Sequence, residues 1–480
     1  MSSREVDIAI IGAGTAGLTA YNAASRHTDS LVLIDSGPLG TTCARVGCMP
    51  SKLLIAAASA AHGARHSSLF GIQVGELEID GAAVMDRLHR ERDRFVDSVL
   101  DSLGRIPDNR KLAGRARFLA TNRLGLDDGT EIEAGRIVIA TGARPNVPGF
   151  LREAGERLLT NENLFELESL PGSVAVFGPG VLGLELGQAL SRLGAKVRMF
   201  GTNGSLASIG DAEIRQYACR CFNEEFYLDL SADVKQVERV ANGVAITYRH
   251  RQKGEITEEF DYVLAATGRR PNIDELDLEK SGLELDEEGL PEVDPRTLQC
   301  GESPIFLVGD ANTKVPFLHV AAEEGRIAGR NAARYPHLEK NDRLVDFSVV
   351  FSDPQVASVG LRMPELGEQC PDRYAEGKAS FEDQGRSRVM GRNRGLVKVY
   401  GERGSGRFLG AEIFGPAAEH TGHLLAWAAE CGLTVSQMLA MPYYHPVVEE
   451  GLRTALKDLS YRLEEGPRQE DRCLECGPGG

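Results

Sequence analysis

Short apolar runs alternate with polar, glycine-rich turns along most of the chain, and two stretches repeat one order of elements. In residues 6–35 the apolar Ile8-Ala9-Ile10-Ile11 predicts a strand. The turn Gly12-Ala13-Gly14-Thr15-Ala16-Gly17 follows, then a small-residue helix, then the run Leu31-Val32-Leu33-Ile34 closed by Asp35. In residues 174–201 the strand Val174-Ala175-Val176-Phe177 leads into Gly178-Pro179-Gly180-Val181-Leu182-Gly183. A helix reaching Leu193 and the run Val197-Arg198-Met199-Phe200 complete that second copy, which ends at Gly201.

Each copy places G-x-G-x-x-G between a strand and a helix, where the motif has a physical meaning. The first glycine allows the tight turn, the second lets a pyrophosphate approach the backbone, and the third lets helix and strand pack closely. The pyrophosphate then sits on a helix N-terminus, where free N–H groups and the dipole favour an anion. Two such units mean two dinucleotides, which suggests electron transfer between two cofactors. The interval from Gly12 to Asp35 equals that from Gly178 to Gly201. Asp35 is therefore placed to accept hydrogen bonds from a ribose, and Gly201 holds the same place without a side chain to do so.

Two further segments echo each other. Ile137-Val138-Ile139-Ala140-Thr141-Gly142 and Tyr262-Val263-Leu264-Ala265-Ala266-Thr267-Gly268 are strands ending in Thr-Gly, each followed within three residues by a proline. Another buried strand, from Ile305, ends in Gly309-Asp310. From about residue 346 the pattern changes to β segments (348–351 and 396–400) and then helices (419–431 and 435–441). The expected organisation is a first nucleotide unit over 1–148, a second over 149–270, a central segment over 271–343 that returns to the first, a C-terminal domain over 344–465, and a polar tail over 466–480.

Composition narrows the function. The 480 residues include 54 Lys and Arg against 70 Asp and Glu, a net charge of −16. That balance argues against nucleic acid and anionic membrane surfaces as partners. No apolar run approaches a membrane span, and the N-terminus carries no basic leader with an apolar core, so the cytoplasm is the expected compartment. Glycine is abundant, 54 residues, about 11% against a usual ~7%, and the two fingerprints account for part of the excess. The nine cysteines are too few and too scattered for a disulfide scaffold, so paired cysteines read first as redox or metal chemistry.

One pair stands out. Gly40-Thr41-Thr42-Cys43-Ala44-Arg45-Val46-Gly47-Cys48-Met49-Pro50-Ser51-Lys52 follows the first unit and enters a helix expected over 53–61. A thiolate at a helix N-terminus has a lowered pKa and is a better nucleophile at neutral pH. This segment resembles the redox site of the flavin-dependent pyridine nucleotide-disulfide oxidoreductases, the family that includes dihydrolipoamide dehydrogenase, glutathione reductase and mercuric reductase. The resemblance extends from about residue 6 to about residue 460 and preserves the order of all the segments above. It implies an α/β fold with two Rossmann-like dinucleotide-binding domains and an α+β C-terminal dimerisation domain.

The resemblance also implies roles. Gly12, Gly14, Gly17, Asp35, Ser36, Thr42, Lys52, Thr141, Gly142, Asp310 and His319 would contribute to an FAD site. Gly178, Gly180, Gly183, Gly201 and Gly268 would serve NAD(P)H. Cys43 and Cys48 would form the redox disulfide, with Cys48 next to the flavin and Cys43 exchanging with a dithiol or disulfide substrate. Lys52 would pair with Glu185 beside the flavin. In Tyr444-His445-Pro446-Val447-Val448-Glu449-Glu450 the base would be His445, oriented by Glu450. Imidazole suits that task because its pKa lies near physiological pH. In this family the histidine reaches the other subunit's flavin, which implies an obligate homodimer.

Three departures from the family pattern bear on substrate. Gly201 stands where NAD-specific relatives keep an acid, with only Arg198 nearby as a cation, so NADPH is expected to be tolerated. Thr41 replaces a usual glycine, and Arg45 lies between the cysteines, where it either favours an anionic substrate or is simply solvated. Cys473 and Cys476 in the tail form a CxxC that supplies two of the four ligands of a structural zinc site, so no metal site is expected. The tail cysteines are either incidental or a mobile dithiol relay.

Overall fold

A computed structural model describes residues 3–312 and 316–464. In the first unit, strands Leu31–Asp35, Ser3–Ile11, Glu131–Ile139 and Ile305–Leu307 lie side by side and parallel, with the short strand Lys111–Ala113 beyond Leu31–Asp35. Helices Thr15–Ala24 and Leu318–Arg334 pack on this sheet and on each other. The strand from Ile305 completes the sheet, so the chain returns to its first unit after building the second. Antiparallel strands Ala116–Ala120 and Arg123–Leu126 extend the N-terminal half of Glu131–Ile139.

The second unit is a parallel sheet in the order Tyr227–Asp229, Lys196–Phe200, Ser173–Phe177, Tyr262–Ala265, Leu158–Leu159. A three-stranded antiparallel sheet, Val234–Val240, Gly243–His250 and Gly254–Phe260, covers one side. The two Thr-Gly exits meet: Ala143–Pro145 pairs antiparallel with Arg269–Pro271 and ties the units together.

The C-terminal unit is a five-stranded antiparallel sheet, Phe347–Val350, Gln355–Gly360, Phe408–Gly415, Leu396–Glu402 and Tyr374–Ser380, covered by helices Ala418–Glu430 and Glu449–Arg462. Its expected strands and helices are present within a few residues. The redox helix is longer than the sequence pattern suggests. It runs Cys48–Arg65 and so begins at the second cysteine itself. Its Leu54 and Ala58 share one buried core with Leu184 and Leu186 of the second unit and Val350, Val356 and Phe414 of the C-terminal sheet. Packing of three units around one helix fixes the position of everything on its first turn.

Candidate active site

The two fingerprints fold alike, and their second glycines agree to within a degree. Gly14 and Gly180 precede their helices with φ/ψ of −75°/−174° and −74°/−173°. A Cβ on Gly12 would lie 2.2 Å from the Ala140 carbonyl oxygen, and one on Gly178 would lie 2.3 Å from that of Ala266. A Cβ on Gly17 or Gly183 would strike the carbonyl oxygen of the first glycine at 1.8 or 1.9 Å. A Cβ on Gly14 or Gly180 would meet no side chain or neighbouring segment within 4 Å. The first and third glycines therefore serve the fold, and the second leaves a cradle open over a helix N-terminus.

Asp35 does more than face a ribose. Its Oδ2 accepts a hydrogen bond from the Ala13 N–H and its Oδ1 from the Gly37 N–H, both at 2.6 Å. The carboxylate thus clasps the glycine turn to the next loop. Gly12, Asp35, Ser36, Thr141, Arg144 and Asn272 line a cavity of about 400 Å³. The Thr141 hydroxyl is buried without a hydrogen-bond partner, and such a group calls for a ligand. An open pyrophosphate cradle, a braced acid, a cavity and an orphaned hydroxyl fit a dinucleotide such as FAD. Asp310 lies in the turn Gly309–Asn312, where burial pushes its carboxyl up and Arg269, 3.5 Å away, counteracts. His319 stacks on Phe317 with ring centroids 5.9 Å apart, and desolvation pulls its pKa down.

The cysteines occupy two consecutive helix starts. Cys43 is the second residue of the short helix Thr42–Val46, and Cys48 opens the redox helix after Gly47. A Cβ on Gly47 would lie 2.9 Å from the Thr42 carbonyl oxygen and 3.1 Å from the Cys43 Cα, so only glycine lets the two helices approach. The buried Asn161 side chain donates to the Val46 carbonyl at 2.8 Å and braces the same turn. Both residues are thiols in this structure. A hydrogen bond from the Cys43 thiol and the charge of Lys52 bring Cys48 down to about 7, against partial burial. The same hydrogen bond and burial push Cys43 up. The pair is polarised, with the thiolate on Cys48 and the proton on Cys43.

Lys52 lies one turn beyond Cys48. Its ammonium is 2.7 Å from Glu185 Oε2, and the Glu185 side chain is only 2% exposed. The second carboxylate oxygen accepts from the Phe351 N–H at 2.8 Å, and the Phe351 ring lies 4.5 Å from the ammonium. Phe351, at the end of a C-terminal strand, thus grips both members of the pair. It was missed in the sequence because nothing in the pattern separates it from a core residue.

His445 and Glu450 meet at 2.9 Å, imidazole Nδ1 to Oε1. The other oxygen of Glu450 accepts from the Val447 N–H. His445 is 54% exposed and Glu450 13%. Glu450 lies in the first turn of helix Glu449–Arg462, which packs on the C-terminal sheet. Tyr444, Trp427, Met441 and Leu424 are exposed in the same C-terminal domain.

The family model for pyridine nucleotide-disulphide oxidoreductases matches residues 6–325, and that for their dimerisation domain matches residues 347–456. The chain belongs to this family. It is 31% identical over 460 residues to a dihydrolipoyl dehydrogenase of Geobacillus stearothermophilus, covering 93% of this chain and 94% of the relative. It is 32% identical over 464 residues to a mercuric reductase of Streptomyces lividans, covering 94% and 95%. Among solved structures, LpdA of Mycobacterium tuberculosis superposes with a TM-score of 0.79 at 25% identity, covering 95% of this chain and 99% of that one. The flavoprotein disulfide reductase RclA of Escherichia coli shares the fold, with a TM-score of 0.79 at 22% identity over 94% of this chain and 99% of that one. The protein is thus a flavoprotein disulfide oxidoreductase of the dihydrolipoyl dehydrogenase group. Membership implies FAD and a pyridine nucleotide, and the matched C-terminal domain is the one through which the family dimerises.

Two departures now have physical content. A Cβ on Gly201 would lie 2.8 Å from the Pro179 ring and 2.9 Å from the Leu230 carbonyl oxygen, so this turn has closed around glycine. Arg198 is not free for a 2′-phosphate, because its guanidinium pairs with Glu258 at 3.0 Å. Arg45 donates to the Pro38 carbonyl at 3.2 Å and its stem packs on Gly40, so it secures its own loop. Cys473 and Cys476 lie outside the described residues. No helix among the described residues is long and apolar enough to cross a membrane.

Proposed function

We propose that the protein is a homodimeric FAD enzyme that exchanges electrons between NAD(P)(H) and a small dithiol or disulfide through Cys43 and Cys48, with dihydrolipoamide as the leading substrate. The polarised thiol pair beside the Lys52–Glu185 ion pair carries this reading. Gly12, Gly14, Gly17, Asp35, Thr141 and Asp310 would hold FAD, with Ser36, Thr42, Gly142 and His319 around it. Gly178, Gly180, Gly183 and Gly268 would hold the pyridine nucleotide. Bound FAD supplies two-electron chemistry between that nucleotide and the cysteine pair.

The protein's own residues perform thiol–disulfide exchange. With a disulfide substrate, the Cys43 sulfur, once its proton has passed to a base, attacks one substrate sulfur, forming a mixed disulfide and releasing a first thiolate. The Cys48 thiolate then attacks the Cys43 sulfur, closing the Cys43–Cys48 bond and releasing the second thiolate. With a dithiol substrate the same steps run backwards. His445 takes or gives the substrate proton, and Glu450 fixes its tautomer and supports the imidazolium. In the family this histidine reaches the other subunit's flavin site, so the partner subunit's His445 would complete each site.

A second reading, an NADPH-dependent reductase of glutathione-type disulfides or of metal or metalloid compounds, draws on the neutral Gly201 turn and the similarity to a mercuric reductase. One assay grid separates the two: NADH or NADPH against lipoamide, oxidised glutathione, Hg(II) and selenite. Turnover of lipoamide above all other acceptors supports the first reading, and turnover confined to another acceptor overturns it.

A further inference from the structure

A basic cleft of about 410 Å³ lies at the back of the first unit, away from both fingerprints. Arg26, His27 and Asn22 from the end of helix Thr15–Ala24 form one wall, and Arg326, Arg330 and Arg334 of helix Leu318–Arg334 form the other. The walls are held close by two glycines. A Cβ on Gly325 would lie 2.2 Å from the Ala16 carbonyl oxygen, and one on Gly329 would lie 2.3 Å from that of Ala20. No acidic residue lines the cleft. Arg334 pairs with Glu339 at 3.1 Å, and Arg330 donates to the Asn341 side chain. Among the described residues, Arg26 and Arg326 have no ion pair, and the Arg330 Nε is buried without an acceptor.

This arrangement needs a cause. Three arginines at successive i, i+4 positions repel one another and oppose the helix that carries them. They stand in a chain of net charge −16, where carboxylates are plentiful. Guanidinium groups match phosphate oxygens in paired hydrogen bonds. The cleft is concave and within the size range of small-ligand sites, roughly 300–1,000 Å³. We propose that it binds a small polyphosphate anion, either inorganic or the phosphate chain of a nucleotide. The site is distinct from the dinucleotide cradles. Gly14 precedes the first turn of helix Thr15–Ala24, whereas the cleft is lined from Thr19 onward, roughly 7 Å along the axis at its nearest residue, and its basic groups Arg26 and His27 lie beyond the far end.

The test titrates FAD-loaded enzyme with tripolyphosphate, ATP and phosphatidylglycerol vesicles, in saturating NAD⁺ to block the nicotinamide site. The expected result is one tripolyphosphate or ATP per chain, bound more weakly as salt rises. Equal affinity for the two assigns recognition to the phosphate chain, and tighter ATP binding assigns it to a nucleotide. The exposed variants Arg26→Glu and Arg326→Glu should each weaken binding at least tenfold without lowering thermal stability. Unchanged affinity in both variants, loss of binding when NAD⁺ is added, or binding of vesicles without tripolyphosphate would overturn the proposal.

Discussion

Lys52 and Glu185 are 133 residues apart in sequence and 2.7 Å apart in space, and the Phe351 N–H holds the carboxylate from its other side. The pair joins the redox helix to the second unit, and Phe351 joins both to the C-terminal sheet. Its charge also acts on Cys48. Without Cys43 to donate to it, Cys48 still feels Lys52, and Lys52→Met should raise its pKa by on the order of one unit. The rate of iodoacetamide alkylation against pH, in a background where Cys43 is Ala in both proteins, reads this directly. Alanine removes the hydrogen bond from position 43, so the comparison isolates Lys52. An unshifted midpoint would separate the lysine from thiolate control.

The His445–Glu450 dyad predicts a large effect on turnover and a small one on stability. His445→Gln should lower kcat by about 10²–10⁴-fold, the usual contribution of a positioned acid or base. Glu450→Gln should lower it less, because the imidazole remains. Both should bind FAD normally. Steady-state kinetics with the flavin content measured in parallel checks the pair.

The glycines of the first fingerprint should fail in different ways. A methyl on Gly14 meets no side chain or neighbouring segment within 4 Å, so Gly14→Ala should fold and lose FAD affinity. A methyl on Gly17 would strike the Gly12 carbonyl at 1.8 Å, so Gly17→Ala should lower the thermal stability of the apoprotein itself. Equal apoprotein stability in the two variants would refute this division of labour.

Thr41 adopts φ 61° and ψ 148°, a region that strongly favours glycine. Its hydroxyl accepts from the Ala44 N–H at 3.3 Å, and replacing such a cap with glycine costs only a few tenths of a kcal/mol. Relief of strain outweighs that loss. Thr41→Gly should stabilise the protein by about 1 kcal/mol, visible as a higher unfolding temperature.

Gly201 offers neither an acid to repel a 2′-phosphate nor, with Arg198 committed to Glu258, a cation to hold one. The values of kcat/KM for NADH and NADPH should lie within about tenfold of each other, under about 1.4 kcal/mol of discrimination. A hundredfold preference for either would contradict the neutral reading of this turn.

The two fingerprints and the Cys43–Cys48 segment were legible in the sequence because each is a short motif whose geometry is local. The His445–Glu450 dyad and the Lys52–Glu185 pair were legible only through the resemblance. Phe351, Asn161 and the Arg269–Asp310 contact were not, since they meet the site through tertiary packing and carry no spacing signal. The redox helix starts at Cys48 rather than near residue 53, and neither Gly47 nor Pro50 breaks it. Here glycine permits close approach of two helices, and proline sits within the first turn, where no intrahelical N–H is needed. The long helix Gly81–Gly104 was also unforeseen. It is polar on most of its surface, so its apolar stripe is narrow.

The central claim is that the pyridine nucleotide reduces one disulfide formed by Cys43 and Cys48. Counting free thiols on oxidised, FAD-loaded enzyme before and after anaerobic reduction with one equivalent of NADH tests it most directly. The account predicts two new thiols per chain in the wild type and none in Cys43→Ser or Cys48→Ser. No gain in the wild type, or the same gain in both variants, would contradict it.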